Sequence, residues 1–446
     1  MSPASNGGAE GLRGSTQASR DAAFSERGGE FVRGKGMSLG RQSLWHFTAQ
    51  VANGVLGIAV LSVLTRGLSV SDVGSYAFVF AVLAFLGMFA DAGVSASGAR
   101  IMAIADGEEE QRRRAAVLLT ASLATGIILA CMTAVTSFVV GPLFGSGTGA
   151  VLLAIAPLAA ILPLQEMILA LGQGANRIGV LSAFVIAPRM LALPLLVLMA
   201  KGQSLSLWSA CAVTLGTTWA AVLAAAVLFR PMFRALGAEW PRLRTEVREF
   251  GREMYAVRVI DGLTTGLDKM LLSYFHGMVP VGYYTIAYTM ATPIVLLSRS
   301  LSTSAYRRFA HEPSIPRKLL TANVLWCTIG TAVLIAACIV LVPLLFTDKY
   351  VPSLGVMPLL AIGAALMALN TPFHGFLAAQ RQGRTLKRLS LATSGFFIAG
   401  NVALIPFFGM TGAALAFIGT FALNLFLNVR VYGAFKVSCI QGAAEV

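Results

Sequence analysis

From Ser43 to Gly433 the chain is built almost wholly of apolar runs of about 20 or more residues, separated by short polar gaps. Twenty residues of α-helix rise about 30 Å, the depth of bilayer hydrocarbon. Inside hydrocarbon the backbone has to satisfy its own N–H and C=O groups, so each run predicts a helix. The spacing places twelve spans at 43–65, 72–98, 115–139, 150–171, 177–200, 206–229, 254–275, 282–306, 319–346, 353–378, 388–407 and 411–433. With 56% apolar and 12% charged residues and a mean hydropathy of +0.75, soluble-domain usage is excluded. The predicted fold class is an all-α polytopic membrane protein with about 12 transmembrane helices.

The net charge of +14 would suggest nucleic acid in a soluble protein, but here the basic residues sit in the gaps. They act there as topology determinants and lipid-headgroup contacts, so membrane lipids are expected partners and nucleic acid is not. Alternate loops carry 20 basic residues, among them Arg112, Arg113, Arg114, Arg230, Arg317 and Arg388, against 3 on the other side, Arg66, Lys201 and Lys349. That bias predicts both termini in the cytoplasm. The outward loops 276–281 and 347–352 are too short to form a catalytic domain.

Residues 1–40 are rich in Gly, Ser and Arg without apolar periodicity and read as a disordered cytoplasmic tail, with Met37 as an alternative start. Gly29, Gly34 and Lys35 have the spacing of a phosphate-binding loop, but Gly36 stands where Ser or Thr is needed. No segment there has the form of a cleaved signal peptide. Five unclustered cysteines and four histidines off HExxH spacing suggest no disulfide framework, metal site, catalytic set or cofactor.

The longest inward loop, Arg230 to Glu253, divides the spans six and six. Leu243, Val247, Phe250 and Met254 recur on one face, predicting an amphipathic linker over 230–253 that lies along the inner headgroups. It separates an N-terminal lobe, 41–229, from a C-terminal lobe, 254–435, with 436–446 as a cytoplasmic tail. The halves echo one another: Val73-Gly74-Ser75-Tyr76 opens the second span and Val281-Gly282-Tyr283-Tyr284 the eighth. Such repeats occur in transporters with a central site.

Ionisable residues inside spans mark candidate sites, because at bilayer depth they face protein, water or ligand. In the seventh span Arg258, Asp261, Thr265, Asp268 and Lys269 fall on one helical stripe, with Asp261 placed to pair with Arg258 at i+3. Snorkelling to headgroups is the alternative for Arg258, and structural pairing the alternative for Asp268 and Lys269. Arg299 shares a face with Thr285, Thr289, Thr292 and Thr303. Arg189 follows Pro188 near the centre of the fifth span, where it suits a gate or anion site or simply satisfies the carbonyl freed by the proline. Asp91 lies among Gly87, Gly93 and Gly98 and reads equally as a structural carboxylate or a coupling site; Glu166, after Pro163, could also reach the interface. Asn53, Asn370, Asn401 and Asn424 are expected to hydrogen-bond between helices.

The chain resembles the bacterial oligosaccharide flippases of the multidrug/oligosaccharidyl-lipid/polysaccharide exporter superfamily, the Wzx-like group. The resemblance rests on Leu64-Thr65-Arg66, Asp72-Val73-Gly74-Ser75-Tyr76-Ala77, Asp91-Ala92-Gly93, Leu267-Asp268-Lys269-Met270-Leu271-Leu272, Val281-Gly282-Tyr283-Tyr284-Thr285-Ile286-Ala287 and Thr411-Gly412-Ala413-Ala414. It implies two six-helix lobes around a central cavity in a multi-pass inner-membrane protein that moves an undecaprenyl-pyrophosphate-linked sugar repeat outward by alternating access, without covalent chemistry. It also leaves room for polymerase and chain-length partners of the same pathway. On that reading Arg258, Arg299, Arg189, Lys269 and Arg66 are cations for the pyrophosphate, since guanidinium forks match phosphate oxygens. Asp268, Asp261, Asp91 and Glu166 balance charge or couple to an ion. The rivals are a lipid II flippase, a drug/cation antiporter of the same superfamily and a membrane polysaccharide polymerase.

Overall fold

A computed structural model describes residues 39–444 apart from 106, 252–254, 256, 257, 260, 261, 263, 265, 313 and 381. The chain parts into two units, Met1–Trp45 and His46–Val446. The predicted tail lies outside the described residues up to 38. The protein is an all-helical, multi-pass membrane protein, with no strand among the described residues.

The helices are α1 (Leu39–Gly67), α2 (Val70–Asp91), α3 (Val94–Ala103), α4 (Glu108–Phe144), α5 (Ser146–Ala159), α6 (Ile161–Gly174), α7 (Ile178–Lys201) and α8 (Leu207–Phe229). After the linker come α9 (Leu236–Glu246), α10 (Leu267–His276), α11 (Met278–Ala291), α12 (Pro293–His311), α13 (Arg317–Phe346), α14 (Met357–Ala379) and α15 (Gly383–Ala444). Ten stretches among the described residues are long and apolar enough to cross a membrane. The last of them, Gly383–Lys436, carries both of the final predicted spans across a kink at Gly409, where φ is 55°.

Several predicted spans are broken helices. The second ends as α2 at Asp91, turns through Ala92 and Gly93 in left-handed conformation, and resumes as α3. The fourth is α5 and α6, and the eighth is α11 and α12 with Pro293 at the start of the second piece. The seventh differs most from expectation. Residues 255, 258, 259 and 262 are helical, the chain turns at 264 and 266, and α10 starts after Gly266 at φ +76°. The predicted stripe from Arg258 to Lys269 is therefore not one helical face. Gly266 makes the break in left-handed conformation, and the chain packs closely there: a Cβ on Gly262 would overlap the Met88 sulfur, and one on Gly266 would lie 2.7 Å from Ala81 Cβ. Within lipid, helices associate through such small-residue contacts, because lipid tails are as apolar as leucine.

Three cores organise the helices. One is built from the first half and joins Phe78, Leu83, Leu118, Leu129, Leu152 and Met167. A second, around Tyr284, Ile286, Phe346 and Leu360, takes in Val60, Leu64 and Val73 of α1 and α2, so the outset of the chain packs with its second half. The third gathers Phe309 and Phe376 with Tyr432 and Phe435.

The linker packs against the bundle as well. Leu243 is buried in the first core and Val247 packs beside it, while Arg242 pairs with Glu110 at 3.2 Å and Arg100 with Glu246 at 3.0 Å. Leu243 and Val247 thus face protein rather than lipid, while Met254 and the Phe250 side chain lie outside the described residues. Amphipathic periodicity marks an apolar neighbour without saying which. Trp240 and Phe233 stay exposed.

Candidate functional site

Asp91, Glu166 and Arg258, far apart in sequence, meet in one cluster. Asp91 is the last residue of α2, and its carboxylate accepts hydrogen bonds from the Ser95 hydroxyl and, at 3.3 Å, the Ser95 amide, which ties the start of α3 to the end of α2 across the break. Gly93 makes the turn possible and lets the backbone approach Gly251, whose carbonyl oxygen would collide with any Cβ on Gly93. Tyr255 donates from its hydroxyl to the Phe89 carbonyl at 3.3 Å. These contacts place Gly251 and Tyr255 beside the end of α2, where Arg258 meets Asp91.

The Arg258 guanidinium spreads over both acids. Nη2 lies 2.7 Å from Glu166 Oε2 and Nη1 lies 3.4 Å from Asp91 Oδ2. Asp91 is 8% exposed, whereas Arg258 at 42% and Glu166 at 47% are open to solvent or ligand. One cation therefore ties α2 and α6 to the second half of the chain. The expected partner, Asp261, lies outside the described residues.

A second cluster forms after the break. Asp268 is buried in the first turn of α10, where a carboxylate suits the helix dipole, and accepts the Lys269 amide at 2.9 Å. Lys269 Nζ stands 5.8 Å from the Tyr288 ring centroid. Tyr288 is within electrostatic reach of both Asp268 and Arg299. The fully buried Tyr284 hydroxyl lies near Asp268, yet among the described residues no hydrogen bond to it is completed. Arg299 itself is exposed on α12.

The other two predicted cations sit apart from these clusters. Arg189 donates to the Asn53 carbonyl of α1 at 2.5 Å, its guanidinium lying where a Cβ on Gly57 would approach to 2.9 Å. It thus satisfies a carbonyl of another helix, not the one freed by Pro188. Arg66, exposed in the last turn of α1, donates to the Leu344 carbonyl near the end of α13 at 2.9 Å. Among the described residues no group of three His, Cys, Asp or Glu could hold a metal ion.

Two buried polar centres escaped the sequence reading. Asn323 accepts from Ser298 at 2.6 Å and donates to the Ala368 carbonyl at 3.3 Å, joining α12, α13 and α14. Of the asparagines expected in that role, Asn401 donates to Phe397 within α15, and Asn424 accepts from Asn428 of the same helix. Arg114, counted among the loop cations, is buried and donates to the Ile101 carbonyl and to Glu110. Glu110 at i−4 was its available signal.

The fold matches solved transporters at low identity. Lipid II flippase MurJ in an inward closed conformation superposes with a TM-score of 0.70 at 11% identity, covering 89% of this chain and 91% of that one. The MATE multidrug transporter DinF-BH gives 0.62 at 16%, covering 88% and 94%. An inward-facing MATE family multidrug resistance transporter of the MOP superfamily gives 0.61 at 16%, covering 90% and 96%. No curated protein sequence matches at a significant level. The profile of the polysaccharide biosynthesis protein family matches residues 39–307, more than half of the chain and including both halves of the Arg258 cluster, and the chain belongs to that family.

Proposed function

We propose that the protein is an inner-membrane flippase that moves undecaprenyl-pyrophosphate-linked oligosaccharide repeats outward by alternating access, with both termini in the cytoplasm. The observation that carries this reading is the half-exposed Arg258, held where the two halves of a polysaccharide biosynthesis family member meet. On the proposed topology Asp91, Glu166 and Arg258 lie toward the cytoplasmic side, where the substrate is assembled. A guanidinium at that depth suits a pyrophosphate. Arg299, in the cytoplasmic half of the eighth span, would share that task with Arg258, Lys269 beside Asp268 would receive the charge further along, and Arg189 and Arg66 would hold helices rather than ligand.

Transport against a gradient requires energy from ions or membrane potential. One charge crossing 100 mV is worth about 2.3 kcal/mol. That biases an equilibrium roughly fifty-fold. Polymerase and chain-length proteins of the same pathway would be its functional neighbours.

Deleting the gene tests the reading. Surface polysaccharide should stop, and the completed lipid-linked repeat should remain in the cytoplasmic leaflet, inaccessible to a glycosidase or lectin added to spheroplasts. A polymerase defect would instead leave single repeats accessible from outside, and a drug antiporter defect would leave polysaccharide normal. If the protein were instead a lipid II flippase, its loss would cause lysis and lipid II accumulation. Full outside access to the repeat in the deletion strain would overturn the proposal.

A further inference from the structure

Arg258 presents two terminal nitrogens to two oxygens, as it would to one phosphate group, but here the oxygens come from two different carboxylates. The two acids are not equivalent. Asp91 is buried and held by both the amide and the hydroxyl of Ser95, so withdrawing it would disturb the junction of α2 and α3. Glu166 is 47% exposed on α6, and Arg258 is its partner among the described residues. It can move off Arg258 without stranding a fully buried charge.

We propose that Glu166 is a built-in competitor for the anion site on Arg258, displaced when a pyrophosphate group arrives. The inference rests on the reading of the substrate as a pyrophosphate-bearing lipid. The phosphate takes the Nη2 edge, Asp91 keeps Nη1, and the tie from α6 to the Arg258 segment is lost while the tie from α2 remains. Substrate binding and release of one inter-half contact are thereby the same event. The displaced carboxylate then stands beside a more highly charged anion, and that repulsion opposes indefinite retention of the substrate.

The competition is measurable because an exposed ion pair is weak and one uncharged atom exchange removes it. Full-length protein in nanodiscs would be titrated with undecaprenyl pyrophosphate and, as the uncharged control, undecaprenol. Glu166→Gln should bind the pyrophosphate about two- to fivefold more tightly than wild type, the scale of an exposed pair. Undecaprenol binding should stay unchanged. Glu166→Ala, which removes the side chain beyond Cβ, should shift affinity the same way, and Arg258→Ala should abolish the preference for pyrophosphate over undecaprenol. If wild type prefers pyrophosphate but both Glu166 variants bind it no more tightly, the competitor proposal fails and the substrate reading stands. If wild type shows no preference between the two lipids, both fail.

Discussion

Gly74 and Gly282 stack backbone on backbone. A Cβ on Gly74 would overlap the Met278 carbonyl oxygen and come 3.0 Å from the Gly282 amide, and one on Gly282 would come 2.6 Å from the Val70 carbonyl. Both belong to the repeated Val-Gly motif, Val73-Gly74 opening the second span and Val281-Gly282 the eighth, and both valines are fully buried. The repeat is thus also a contact between its own two copies, where α2 meets α11.

That contact predicts the effect of a single methyl. Gly74→Ala should cost about 1–3 kcal/mol by overpacking, seen as a lower thermal unfolding temperature in detergent. Gly87→Ala, on the same helix but with nothing within 4 Å of the added Cβ, should be neutral or better. Equal effects of the two would show that the stacked glycines do not constrain packing.

The charge bias between alternate loops predicts orientation. Alkaline phosphatase fused after Gly277 should be active, and fused after Glu312 inactive. The reverse would turn the Arg258 cluster outward and remove the argument for a cytoplasmic anion site.

Loss of the charged clusters should cost transport rather than assembly. Arg258→Ala, Arg299→Ala and Asp268→Asn should each reduce polysaccharide export at least about tenfold, equivalent to ~1.4 kcal/mol, with membrane abundance retained. Arg299→Lys, which keeps charge but not the planar fork, should lose only part. Arg388→Ala, an exposed position, should be tolerated. Export at normal levels in all three cluster variants would reduce them to packing residues.

Asn323 should matter more to stability than Asn401. Asn323→Ala leaves the Ala368 carbonyl without its amide partner and removes the acceptor for Ser298, at a cost of about 1–3 kcal/mol. Among the described residues Asn401 donates only to the Phe397 carbonyl of its own helix. Its alanine variant should unfold nearer the wild-type temperature.

The length and apolarity of the runs were sufficient for the fold class, because hydrocarbon admits few alternatives to the helix. The charged positions were also legible, since an Arg or Asp at bilayer depth needs a reason. Their partners were not. Periodicity relates residues along one helix, so it laid Arg258, Asp268 and Lys269 on one stripe. The structure breaks that helix at Gly266 and sends Arg258 to Asp91 and Glu166, on two helices of the other half. The same limit governed the asparagines: Asn323 gained its interhelical role from the neighbours that packing supplied. It also governed the linker, whose apolar row is the same whether it meets lipid or the first core. Sequence by itself determined the all-helical, membrane-spanning class and which charged positions inside apolar runs need company. Tertiary structure alone decided the company, because glycine contacts between backbones, invisible to hydropathy, set where helices break and which faces meet.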